Sequence, residues 1–124
     1  MSDSSFEMSS VGSGDAKARL NTALAAAEKQ AKSLSSIKGK LSDVEKQVKA
    51  TLQASAELLI ADVKKHLAKG GYSTVAKAVK SWRQQRAAEL QTLENLVEGG
   101  NLNLVSVVAL VGYLDDVGAI AGKL

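Results

Sequence analysis

Residues 43–98, DVEKQVKATLQASAELLIADVKKHLAKGGYSTVAKAVKSWRQQRAAELQTLENLVE, carry two apolar stripes that mirror each other across Gly70-Gly71. The first runs Val44, Val48, Leu52, Ala56, Ile60, Val63 and Leu67; the second runs Val75, Val79, Trp82, Arg86, Leu90, Leu93 and Val97. Steps of three and four residues place each set on one side of a helix. If the chain reverses at the two glycines, Val75 faces Leu67, Val79 faces Val63, Trp82 faces Ile60, Leu90 faces Leu52, Leu93 faces Val48 and Val97 faces Val44. The spacing predicts an antiparallel helical hairpin with helices over 43–69 and 74–98.

On the N-terminal side, Ser42 and Glu45 have the S-x-x-E spacing of a capping box, which satisfies two orphan backbone donors at a helix start. Ser35, Ser36 and Gly39 weaken the helical pattern before it, so a turn is expected near 39–42. The rival is one continuous rod over 15–69, because Ile37 and Leu41 keep the stripe nearly in phase. A first helix is expected over 15–38, with Asp15 as N-cap and Leu20, Leu24, Ala27, Ala31 and Leu34 on its inner face. That face is rich in alanine and buries little area per residue, so this helix should depend on its neighbours. Residues 1–14 contain six serines and two glycines and read as a disordered N-terminal tail. Asp3, Glu7 and the serines supply neither the basic start nor the apolar run of a secretory signal.

On the C-terminal side, Gly99-Gly100 stops the hairpin and Asn101 or Asn103 can cap the next helix. No charge occurs from Gly99 to Leu114. Leu102, Leu104, Val105, Val107, Val108, Leu110, Val111 and Leu114 cover every side of a helical wheel, which predicts a helix over 102–123 buried on all faces. A valine-rich strand is the alternative, but it would have no partner strand in this chain. The charge-free run is shorter than the ~20 residues of a membrane span, and Asp115-Asp116 comes directly after it. Gly118 and Gly122 have G-x-x-x-G spacing, which serves close packing within one bundle as well as dimerisation in a membrane.

These four helices of near-equal length predict an all-α fold, an antiparallel up-and-down bundle of three long amphipathic helices plus an apolar C-terminal helix. Residues 15–124 then form a single helical domain. The absence of proline leaves long helices unopposed, and the absence of cysteine removes disulfides, thiolate metal sites and thiol nucleophiles.

Charge is unevenly distributed. Between Lys17 and Arg86 lie fifteen basic residues against five acidic ones, although the whole chain is only +3. The sharpest concentration spans 64–86, where Lys64, Lys65, Lys69, Lys77, Lys80, Arg83 and Arg86 occur without an acid. The first six are candidate polyanion ligands, for phosphates of nucleic acid or anionic lipid headgroups. A solvated, solubilising face is the plain alternative, since Trp82 is the one aromatic nearby for base stacking. Arg86 interrupts the apolar stripe and is expected to pair with Asp115 or Asp116 across the turn at Gly99-Gly100.

No catalytic constellation is legible. His66 has no second histidine and no cysteine to join it as a metal ligand, and reads as a helix residue at the edge of the packed face. Asp115-Asp116 lacks a cleft and a partner group for acid/base work. The glycine pairs are not preceded by strands, so they are helix terminators and not phosphate loops. No cofactor, metal or small-molecule substrate is expected.

Val111-Gly-Tyr-Leu-Asp-Asp-Val117 resembles the closing segment of small YkvA-type membrane-associated proteins. In that family the segment comes after a proline-containing aspartate motif, which this proline-free chain lacks, and the resemblance implies no catalytic role.

The sequence therefore reads as a non-enzymatic helical assembly or scaffold protein that packs against copies of itself or a larger particle, such as a virion or secretion structure. With no signal peptide or membrane span read, the default location is the cytoplasm or the inside of a particle. The alternatives are a basic adaptor that binds nucleic acid or an anionic membrane through 64–86, and a membrane-active protein that releases 102–114 to lipid.

Overall fold

The computed structural model describes residues 7–36, 41–100 and 104–124, and among them every regular element is helical. The order is α1 (Glu7–Ser33), a 3-10 turn (Leu34–Ser36), α2 (Asp43–Ala68), α3 (Tyr72–Gln85), α4 (Ala87–Glu98) and α5 (Val105–Lys123). Pairs of elements pack α1 on α2, α2 on α3 and α4, α3 on α5, and α5 on α1. With α3 and α4 counted as one rod, the ring closes as an up-and-down antiparallel four-rod bundle, and α2 and α5 stand diagonally across it.

The break before α2 is real, so the continuous 15–69 rod is not formed. Ser42 Oγ accepts from Glu45 N at 3.1 Å while Glu45 Oε1 accepts from Ser42 N at 2.8 Å, which completes the expected capping box. Lys49 Nζ donates to the Leu34 carbonyl at 2.7 Å, so the 3-10 turn is tied to the first turns of α2. The start of α1 differs from expectation. It begins at Glu7, inside the expected tail, and Asp15 lies within the helix, 3.5 Å from Arg19 one turn on, instead of capping it. Residues 1–6 of that tail, the turn residues 37–40 and the expected caps Asn101 and Asn103 lie outside the described residues.

At the hairpin turn α2 closes with paired bonds, Gly71 N to the His66 carbonyl at 2.8 Å and Gly70 N to the Leu67 carbonyl at 3.1 Å. This pattern places Gly70 at φ +72°, where a side chain would be strained, and Gly100 plays the same part after α4 at φ +105°. Both stripes face inward as read: Leu52, Ala56, Ile60, Val63, Val75, Val79, Trp82, Leu90 and Leu93 are all buried. Val44, in the first turn of α2, is the exception at 69% exposed, and Val48, Leu67 and Val97 are half-buried. The Trp82 indole N–H donates to Ser55 Oγ at 3.0 Å, and Ser55 Oγ donates in turn to the Leu52 carbonyl at 2.9 Å. The buried indole is thus satisfied without water.

The expected third helix is divided at Arg86, whose φ of −101° and ψ of 13° leave the helical region. The ladder survives the break, with Arg86 N bonded to the Trp82 carbonyl and Leu90 N to the Arg86 carbonyl, both at 2.9 Å. Two causes coincide there. A guanidinium cannot enter an apolar core unpaired, and the rod changes partners, from α2 and α5 together along α3 to chiefly α2 along α4.

The apolar α5 lies between α1 and α3. Leu104, Val107, Leu110, Val111, Leu114, Val117 and Ala121 are buried, whereas Val105, Val108, Gly112, Asp115, Asp116, Ala119 and Gly122 are exposed. The expectation of burial on every face fails because α5 occupies a corner of the ring, where among the described residues its neighbours are α1 on one side and the α3–α4 rod on the other. The G-x-x-x-G pair serves packing within the bundle: a Cβ on Gly118 would meet Val79, and one on Gly122 would lie 3.7 Å from Ala76 Cβ.

Candidate interaction surfaces

The up-and-down order gathers the end of α2, the start of α3 and the end of α5 at one end of the bundle. Lys17 of α1 joins them, its Nζ lying 5.6 Å from the centroid of the Tyr72 ring. The basic segment 64–86 therefore gains Lys17 and Lys123, two residues missed in the sequence because only the topology makes them neighbours of the α2–α3 turn. Such an end raises the local potential without any one residue having to bind.

The six candidate ligands are not equally free. Lys64 Nζ is 2.8 Å from Glu28 Oε2, which joins α2 to α1, and this bond, with Lys32 adding its charge, holds the Glu28 carboxyl below its ordinary pKa. Arg83 Nε is 3.1 Å from Asp115 Oδ1, which joins α3 to α5. Among the described residues no ion pair engages Lys65, Lys69, Lys77 or Lys80, and all four are exposed. They do not form one flat face. Lys65 borders the groove between α2 and α3, while Lys80 lies on the opposite flank of α3, beside Asp115 and Gly118.

The expected pairing of Arg86 with Asp115 or Asp116 is not present. Arg86 Nη1 lies 3.2 Å from Glu89 Oε2, a turn further along the same rod. Asp115 takes Arg83 instead, because Val79 over Gly118 and Ala76 against Gly122 fix a register in which Arg83, one turn before Arg86, comes level with it. Asp116 faces the other way, into a groove with Arg19, Thr22, Tyr113 and Ile120 of α1 and α5.

Two open grooves stand out. That between α2 and α3 has a volume of about 660 Å³ and includes Leu58, Leu59, Lys65, Trp82 and Arg86; that between α1 and α5 has about 600 Å³. His66 is half-buried with Nε2 3.4 Å from Asp62 Oδ2, one turn away.

Large apolar side chains also face outward. Leu58 is 73% exposed on α2, and Val105 and Val108 of α5 are 55% and 43% exposed on the far side of the ring. Helix α5, 19 residues long, is by length and composition the one helix among the described residues able to cross a membrane, and it also contributes a face to the bundle core.

No known protein family, curated protein or solved structure matches the chain.

Proposed function

We propose that this protein is a non-enzymatic helical assembly protein that packs against copies of itself or against a larger particle. The observation that carries this reading is the outward placement of Val105 and Val108 on α5 and of Val44 and Leu58 on α2, with the inner positions of both helices already filled. Branched apolar side chains left in water on opposite faces of a small bundle favour burial on a neighbour, at roughly 25 cal/mol per Å² of area removed from water. Two such faces on one molecule allow growth beyond a pair.

A second reading has its own support. Lys65, Lys69 and Lys77 stand unneutralised near the end of the bundle that also holds Lys17 and Lys123, and Lys80 is unneutralised two turns along α3, which suits an adaptor for nucleic acid or an anionic membrane surface. Size-exclusion chromatography with light scattering, run alone and with DNA, RNA or anionic vesicles, separates the two. Oligomers of the protein alone support assembly. A monomer that forms salt-sensitive complexes with a polyanion, weakened when these four lysines become glutamine, supports the adaptor. Vesicle leakage would point to a membrane-active protein instead.

A further inference from the structure

The flank of the α3–α4 rod on the α5 side carries Lys77, Lys80, Glu94 and Glu98 at helical spacing, with both bases before the break and both acids after it. None of the four is held in an ion pair by another described residue, and all but the half-buried Glu94 are exposed. The order is self-complementary. Lys80 and Glu94 are equidistant from Ala87, and Lys77 and Glu98 are centred half a residue further on. Gln84 and Gln91 flank the same centre, and Ala87 itself is small and exposed. Steps of three and four residues continue from Lys77 to Glu98, and the bonds that run through Arg86 keep the phase across the break.

We infer that two copies of this chain pair antiparallel along the α3–α4 rod, with the two-fold axis at Ala87, Lys80 of each facing Glu94 of the other and Lys77 facing Glu98. This inference rests on the assembly reading and adds a polar contact between copies to the apolar faces on α2 and α5. Charge complementarity selects the occupant: a parallel copy would set Lys77 beside Lys77 and Glu98 beside Glu98, whereas the antiparallel one forms four pairs of opposite charge. The helix dipole points the same way. Glu98 stands in the last turn of α4, where free carbonyls disfavour an anion, and α3 starts with no side-chain cap and no acid in its first turn. The antiparallel copy brings Glu98 toward that uncapped start. At the centre, a shallow groove of about 390 Å³ beside Ala87, Leu90 and Gln91 gives the partner's rod room to approach. Val108, two turns before Asp115 on the same edge of α5, extends that edge toward α4. A single helix pair buries less than the roughly 1,200 Å² of a stable interface, so the contact is weak and salt-sensitive.

The test is charge reversal with rescue, read by sedimentation at concentrations up to several hundred micromolar, with circular dichroism confirming that each variant is helical. Lys77→Glu with Lys80→Glu, and separately Glu94→Lys with Glu98→Lys, should each lower the association constant by about tenfold or more, since each sets like charges opposite one another. Mixing the two variants should restore association, because every facing pair in the mixed dimer is again opposite in sign. In the otherwise cysteine-free chain, Ala87→Cys should cross-link on oxidation faster than Ala54→Cys on the outer face of α2. Parent protein that stays at 12.9 kDa overturns both this inference and the self-association on which it rests. Association that survives both reversals, or a mixture no tighter than its components, overturns the antiparallel contact alone.

Discussion

Val79 closes over Gly118 so tightly that a β-carbon at position 118 would lie 3.1 Å from Val79 Cγ1 and 3.2 Å from its Cβ. This contact fixes how α5 slides along α3, and with it the pairing of Arg83 with Asp115. Val79 is buried and, as a β-branched residue in a helix, has essentially one rotamer, so it cannot yield easily.

Gly112 is the contrasting case on the same helix, with nothing within 4 Å of an added β-carbon. Gly112→Ala should therefore stabilise the protein by roughly 0.5 to 1 kcal/mol, the ordinary gain for a helix interior. Gly118→Ala should lose that gain to the clash, and Val79→Ala should recover part of it in the double variant. Urea denaturation measures all three; equal effects at 112 and 118 would mean that α3 and α5 are not in this register.

Leu52 and Leu90 are at most 2% exposed, whereas Leu58 on the same helix as Leu52 is 73% exposed. Leu52→Ala and Leu90→Ala should each cost about 2 to 5 kcal/mol, the range for buried leucine truncations. Leu58→Ala should fall within about 0.5 kcal/mol of the parent when measured on dilute protein. Comparable losses at 52 and 58 would refute the hairpin's assignment of faces.

The ion pair between Arg83 and Asp115 is half exposed on both sides, so it should contribute about 0.2 to 1 kcal/mol. A double-mutant cycle on Arg83→Ala and Asp115→Ala should show coupling of that size, and one on Arg86→Ala and Asp115→Ala should show none. Coupling of Arg86 to Asp115 instead would restore the pairing read from the sequence.

Glu28 gives a pH-dependent prediction. Its folded-state pKa is depressed, first by the bond from Lys64, so its contribution is present above the ordinary value of about 4.5 and is lost as pH falls through the lower folded value. The stability difference between parent and Glu28→Gln should be constant from neutral pH to about 5.5 and vanish at more acid pH. A difference that grows as pH falls would carry the wrong sign for this bond. The size should be a few tenths of a kcal/mol, because the pair is exposed.

Periodicity and capping chemistry carried most of the fold. The mirrored stripes, the Ser42–Glu45 box and the glycine pairs are local signals, and each specifies its own element. Three features of the fold escaped. The start of α1 at Glu7 runs through Ser9, Ser10, Gly12, Ser13 and Gly14, residues whose propensities argue for a tail. The break at Arg86 was visible as a charge on an apolar stripe, but the sequence could not say whether it would be answered across the bundle or by Glu89 three residues on. Burial around α5 was overestimated because a hydrophobic wheel reports what a helix can bury, whereas the number of neighbours at a corner of the ring decides what it does bury. At the basic end, the run of lysines was plain in the sequence, but their division between the two flanks of α3 and the loss of Lys64 and Arg83 to acids on other helices were not.

Sedimentation equilibrium of the full chain, in buffer free of nucleic acid and lipid, tests self-assembly most directly. The weight-average mass should rise above the 12.9 kDa of one chain as concentration increases. A mass of 12.9 kDa at every concentration would contradict self-assembly.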